Sequence, residues 1–378
     1  MDALKAKTSR RQLICRRKFL KLAAVTTAAA GTLVAGCAGA QPPAAAGVVI
    51  ETPDKTTDTP ESEPTTTPER KIRMPEAIKF YPTRPSTVVQ ARHSGVWKND
   101  QELAPGALRQ MLDASIVRLT GLENPTRAWA ALFSPDDKIA IKVNTISNSL
   151  FWTHVPLVMA VVESLKQAGI PAEQIVIYDR TVDELTGAGY SINENGPGVR
   201  CRATGSNYAR GWKVAGRNVG ISNVLLDCTA LINMPILKSH LLCGVTFAMK
   251  NHYGTFDQPA NFHSADLMMP AIAELNALPP IKDRQRLIIG DALLSTLKEA
   301  VSWPYWRDPV IGDSIFMSFD PVACDKVGLE YWCQLKEKAG EDTKAPLALA
   351  GRWLQNGADL GVGTNDLSQI DWAELTLG

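Results

Sequence analysis

Between Lys138 and Tyr178 the chain spells a strand, a helix and a second strand, and no other feature constrains its fold as strongly. Lys138-Ile139-Ala140-Ile141-Lys142-Val143 alternates with the two-residue period of a strand. Pro156 suits the first turn of a helix, and Leu157, Val161, Val162 and Leu165 recur at helical spacing up to Gly169, a stop signal. Ile175-Val176-Ile177-Tyr178 is the next strand. Such a series is a βαβ unit, which commits the chain to a sheet with parallel strands flanked by helices.

The flanking sequence continues the theme. Thr87–Ala91 predicts a first strand, and Pro105 opens a helix carrying Leu108, Met111, Leu112 and Val117 on one face. Further strands are expected at Val224–Leu226, Ala230–Asn233, Leu287–Ile289 and Ile315–Phe319, and helices at Pro270–Leu278, Pro321–Glu337 and Ala345–Gln355. Gly187–Arg217, rich in Gly, Asn and Arg, reads as long loops or an irregular subdomain. The expected class is α/β, with a mixed or mainly parallel sheet flanked by helices and preceded by a disordered stalk.

The stalk follows from charge and composition. The formal net charge of +1 over 378 residues conceals a division: residues 1–36 hold eight Lys/Arg against Asp2 alone, leaving 32 bases and 38 acids for the rest. The body is therefore mildly acidic and carries no basic footprint for nucleic acid. Arg16-Arg17-Lys18-Phe19-Leu20-Lys21 precedes a short Ala/Thr/Val run and resembles a twin-arginine export signal, with Cys15 in place of the usual Ser/Thr. That run is too short to span a bilayer as a mature helix. Leu33-Val34-Ala35-Gly36-Cys37 resembles a bacterial lipobox, with Cys37 as the lipidated residue that would tie the chain to membrane lipid. The expectation is a signal over residues 1–37, a linker over 38–75 made of Ala, Pro, Thr, Glu and Asp, and an α/β domain over 76–378. Its partners would include the twin-arginine export machinery. Its place would be the cell envelope, on the outer face of the cytoplasmic membrane.

Several strands end in a polar residue: Lys142-Val143-Asn144, Tyr178-Asp179, Gly290-Asp291 and Phe319-Asp320. In open α/β sheets ligands bind beyond the carboxyl ends of strands, so these side chains are candidates for one crevice. An Asp after a strand also commonly caps the next helix, and Asp320-Pro321 fits that alternative. The densest polar run is Asn233–His240 followed by Gly244–Gly254, with Asp257 and His263 beyond; three of the five histidines lie there with Lys238 and Lys250. Lysine and histidine neutralise carboxylates or phosphates and shuttle protons, and histidine also binds metals. The spacing of His240, His252 and His263 matches no zinc pattern, so a cationic pocket for an anion and a metal site both stand.

It is on this run that the chain resembles the "domain of unknown function 362" family. Thr246 and Lys250-Asn251 sit inside the signature, Ile141-Lys142-Val143-Asn144 resembles its early strand, and His154-Val155-Pro156 its first helix start. Asp179, Phe262-His263 before Ile272–Asn276, Gly290-Asp291 and Ser318–Asp325 complete a likeness over about residues 87–335. Two features depart from the family pattern. Leu293-Leu294-Ser295 replaces a glycine-rich continuation after Asp291, and Cys201, Cys228, Cys243, Cys324 and Cys333 are too scattered for the iron–sulfur segments of some relatives, so no such cluster is expected. A fainter likeness is to the nickel-pincer lactate racemase fold, which also places His and Lys in an α/β cleft.

The resemblance itself fixes no activity; the Lys, His and Asp residues gathered in these motifs raise the expectation of an exported enzyme of redox or proton-transfer type. Lys238 and Lys250 would hold a small anionic substrate or cofactor, with Lys142, Asn144, Asn251, Asp179 and Asp325 in the binding set. His240 and His263 would act as acid–base groups or as ligands of a transition metal, beside Lys250 and with Asp320 or Asp325 orienting them. The competing expectation is a non-catalytic binding or accessory lipoprotein, motivated by the lipobox and the stalk.

Overall fold

A computed structural model of the chain describes residues 85–99, 101–147, 150–299 and 306–378. The expected export signal, Cys37 and the 38–75 linker lie outside the described residues. The described chain enters on β1 (Ser86–His93), turns through β2 (Trp97–Asn99) and β3 (Glu102–Leu103), and forms helices α1 (Pro105–Thr120) and α2 (Pro125–Leu132). β4 (Ile139–Lys142), α3 (Val155–Gln167) and β5 (Ile175–Asp179) make the expected βαβ unit. α4 (Val182–Gly187) and β6 (Arg200–Ala203) follow, then the hairpin β7 (Tyr208–Val214) and β8 (Arg217–Ser222). α5 (Asn223–Leu226) leads to β9 (Ala230–Asn233) and to a short hairpin of β10 (Lys238–His240) and β11 (Gly244–Thr246). After α6 (Ala265–Ala277) and α7 (Pro279–Lys282) come the long strands β12 (Gln285–Glu299) and β13 (Trp306–Ser318), helices α8 (Pro321–Lys338) and α9 (Lys344–Asp359), and β14 (Ile370–Leu377).

Eight strands form one sheet in the order β14-β1-β13-β12-β9-β4-β5-β6. β13 runs antiparallel to both neighbours, and every other pairing is parallel. Alternation along each strand separates two apolar layers. Ile139, Ile141, Ile175, Ile177 and Ile232 pack beneath α1, α2 and α3. Ala140, Val176, Tyr178 and Leu231 face the layer of α6, α8 and α9. Burial on both faces is why these central strands read as near-continuous apolar runs.

Four expectations are corrected. Val224–Leu226 forms helix α5 rather than a strand, because three apolar residues are too few to separate a strand from a buried helical turn. Gly187–Arg217 is not merely loops: it supplies edge strand β6 and most of a hairpin. The helix placed at Pro270 starts at Ala265, so Pro270 lies inside it and removes one backbone hydrogen bond. Asp291 belongs to the middle of β12, not to a strand end, because that strand continues to Glu299. Its carboxylate accepts the backbone N–H of His154 at 2.8 Å and pairs with the His154 ring at 2.7 Å, which anchors the start of α3.

Candidate functional site

Beyond the carboxyl ends of β4 and β5 the molecule opens into a cavity of about 420 Å3. β4 ends at Lys142 and β5 at Asp179, so the strands themselves deliver these two side chains to its floor. The β10–β11 hairpin forms one wall. Its two-residue period turns Lys238 and His240 to the same side, and pairing sets Thr246 directly opposite Lys238. A 3-10 segment, Met249–Gly254, brings Lys250, Asn251 and Tyr253 to the lining, and the 3-10 turn Pro259–Phe262 presents His263. Arg180, Glu184 and Glu299 complete the charged lining.

The floor is rigid. Lys142 Nζ donates to Asp179 Oδ1 at 2.7 Å, and the other oxygen of Asp179 accepts both the backbone N–H and the hydroxyl of Thr145 at 2.8 Å. Gly254 leaves room for that pair: a Cβ there would stand 2.5 Å from Asp179 Oδ1 and 2.7 Å from Lys142 Nζ. A chain of amides runs beneath the wall. Lys238 Nζ donates to Asn144 Oδ1 at 3.1 Å, Asn144 Nδ2 to Asn251 Oδ1 at 3.0 Å, and Asn251 Nδ2 to Asn233 Oδ1 at 2.8 Å. Because an ammonium only donates, Lys238 fixes the orientation of each amide in turn.

Burial lowers Lys142, with Asp179 pulling the other way. Burial brings Lys238 and Lys250 each down to about 7, so both exchange protons near neutrality. Lys250 Nζ lies 3.1 Å from the centroid of the Tyr253 ring, and among the described residues no carboxylate forms an ion pair with it. The two histidines are complementary tautomers. His263 Nδ1 lies 2.8 Å from the Pro259 carbonyl oxygen, which can only accept, so Nδ1 carries the proton and Nε2 a lone pair. His240 Nδ1 accepts the Leu242 N–H at 3.2 Å, so the neutral ring carries its proton on Nε2. Burial, then the Lys250 charge, push both histidines below the usual range, which keeps them neutral. Their ring centroids are 5.9 Å apart.

The cavity thus gathers His240, His263, Lys250, Lys142, Asn144, Lys238, Asn251 and Asp179. Asp320 and Asp325 stand elsewhere, which corrects their expected orienting and binding roles. Asp320 caps α8 by accepting the Ala323 N–H at 2.8 Å and is further held by the Ser86 hydroxyl and the Thr364 N–H. Asp325, buried in α8, accepts the backbone N–H groups of Ala248 at 2.5 Å and Met249 at 2.9 Å. It therefore docks the segment that carries Lys250 rather than touching a ligand. Burial raises its carboxyl to about 8 against the pull of those two bonds.

Among the described residues no three His, Cys, Asp or Glu side chains converge on a possible metal position. Ligation through His240 Nε2 would also move the ring proton to Nδ1, where the Leu242 N–H already points. All five described cysteines are buried and unpaired with one another, and burial raises the Cys324 thiol well above its ordinary range, against a thiolate at the α8 start.

Five polar lining groups escaped the sequence reading as site residues: Thr246, Tyr253, Arg180, Glu184 and Glu299. Thr246 is the most informative. Its side chain is 4% exposed, and its hydroxyl has no hydrogen-bond partner among the described residues although it borders the cavity. Such a buried hydroxyl is costly unless something else fills its hydrogen-bonding capacity. Only the pairing of β10 with β11 reveals that it stands opposite Lys238.

Residues 139–330 match the family described as Domain of unknown function (DUF362). No curated protein matches the chain. Among solved structures, the lactate racemase apoprotein from Thermoanaerobacterium thermosaccharolyticum is similar over 64% of this chain and 56% of its own, at 9% sequence identity and a TM-score of 0.35. The match thus spans little more than half of that protein's length.

Proposed function

The chain belongs to the Domain of unknown function (DUF362) family, and from the chemistry of its cavity we propose that it is an enzyme acting on a small organic anion by proton transfer. The observation that carries this reading is the pairing, in one cavity, of a buried lysine, Lys250, and a buried hydroxyl, Thr246, for which the described residues supply no ion-pair partner and no hydrogen-bond partner respectively. Lys142 and Arg180 are matched by Asp179 and Glu184. Among the described residues of the lining Glu299 faces Lys250 without forming an ion pair with it, so a bound anion would supply a counter-charge to Lys250.

The same groups supply acid–base chemistry. Two amines near 7 give and take protons at neutral pH with little mismatch, the condition for efficient general catalysis. His240 offers an N–H donor and His263 a basic lone pair. Thermal unfolding of the full chain in phosphate and in malonate tests the anion site. Stabilisation by one of these, lost in Lys250→Ala, is expected; equal stabilisation of the Lys250→Ala variant would overturn it.

We also propose that residues 1–37 direct export through the twin-arginine route, that Cys37 is acylated, and that residues 38–75 tether the domain to the envelope. Support comes from the order of Arg16-Arg17, the short apolar run and Leu33–Cys37. Among the described residues no helix is long and apolar enough to cross a membrane. Metabolic labelling with a fatty acid should mark the wild-type chain and not Cys37→Ala; equal labelling of the two would refute acylation at this position.

A further inference from the structure

Lys250 is placed unlike the other cations of the cavity. One side of its amine is covered by the Tyr253 ring, and the amine borders the cavity. A desolvated amine lying near a second cation sheds its proton readily and then serves as a nucleophile, and Lys238 is that second cation. Lys238 and Thr246, opposed across the β10–β11 hairpin, provide an ammonium and a hydroxyl on the same wall, the donors a carboxylate requires.

Resting on the anion-site reading above, we propose that Lys250 forms a reversible imine with the carbonyl carbon of a 2-oxo carboxylate whose carboxylate is held by Lys238 and Thr246. The Lys250 lone pair forms the C–N bond while the carbonyl π pair moves to oxygen. His240 Nε2–H hydrogen-bonds that oxygen, and His263 Nε2 takes the proton from the attacking nitrogen and hands it to the oxygen. The nitrogen lone pair then closes the C=N bond as the C–O bond breaks. The departing hydroxide receives the remaining nitrogen proton through His263 and leaves as water. Amine and carbonyl give imine and one water, with no change of oxidation state. Protonated again on nitrogen, the imine would draw electrons from the neighbouring carbon and so acidify its C–H, the step the two histidines are placed to serve.

The test uses the full chain with pyruvate and sodium cyanoborohydride, followed by peptide mass spectrometry. The expected result is a reduced adduct on Lys250 that saturates with pyruvate, is displaced by malonate, and exceeds labelling of the exposed Lys98 and Lys166 at least tenfold. Labelling of Lys250 no greater than that of Lys98 and Lys166 overturns the imine. If pyruvate or malonate still raises the melting temperature in that case, the anion site stands and only the imine falls. Absence of both the adduct and any stabilisation removes the anion site as well.

Discussion

A buried lysine without an ion-pair partner is a burden on the folded state, and the burden has a definite pH signature. Lys250 sits at about 7 in the folded chain against an ordinary value of 10.5. Between those values the unfolded chain binds more protons than the folded one, so stability rises with pH across that window and levels off above it. Melting temperatures of Lys250→Met measured from pH 7 upward should show a shallower rise than the wild type; an unchanged slope would mean that Lys250 is solvated. Anion affinity should run the other way, weakening as pH rises through 7 because the ammonium form is the one that binds. Thr246→Val gives a complementary signature. Removing an unsatisfied buried hydroxyl should leave the free protein unchanged or more stable, by up to ~1–3 kcal/mol, while the lost hydrogen bond weakens anion binding by ~0.5–1.5 kcal/mol. A variant that lost stability and kept its affinity would assign Thr246 to packing alone.

At the scale of elements, two aspartates five residues apart at the start of α8 do different work. Asp320 closes the first turn of that helix, so Asp320→Ala should cost ~1 kcal/mol of stability, typical of a lost N-cap, and leave anion affinity intact. Asp325 holds the backbone of Ala248 and Met249 with its two oxygens. An amide in its place leaves one of those N–H groups facing another donor, so Asp325→Asn should cost ~1–3 kcal/mol and also weaken anion binding, because Lys250 follows directly. Denaturant titrations together with binding isotherms separate the two cases. The strand-end rule that found Lys142, Asn144 and Asp179 could not tell Asp179 from Asp320, since both follow an apolar strand. What distinguishes them is downstream: Pro321 occupies the first helical position after Asp320, whereas Asp179 meets Lys142 from the neighbouring strand. The polar run from Asn233 to His263 was legible because hairpin and 3-10 turns keep its side chains local. Thr246 and Glu299 were not, the first requiring strand pairing and the second lying at the far end of a strand fifteen residues long.

The whole molecule is a sheet buried on both faces, and that is why its class was readable from a single βαβ unit while its edges were not. Ile139, Ile141, Ile175 and Ile177 declare a two-sided core in their own sequence. β14, which pairs in parallel with β1 along eight positions, carries Asp371, Glu374 and Thr376 among its apolar residues and announces itself only through its partner. Away from the cavity the sheet is tied to α2 by a buried ion pair: Arg286 of β12 donates to Asp137, just before β4, and to the Leu132 carbonyl at the end of α2. Breaking it on one side with Asp137→Ala should cost ~3–5 kcal/mol, because the guanidinium stays buried without its acid. A loss near zero in a denaturant titration would show that solvent reaches Arg286. Calorimetric titration of the full chain with malonate at several pH values tests most directly that the cavity is an anion site. Binding at one site that weakens as pH rises through 7 and vanishes in Lys250→Ala is the expected result. Binding that ignores pH and survives Lys250→Ala, or no binding at any pH, would contradict it.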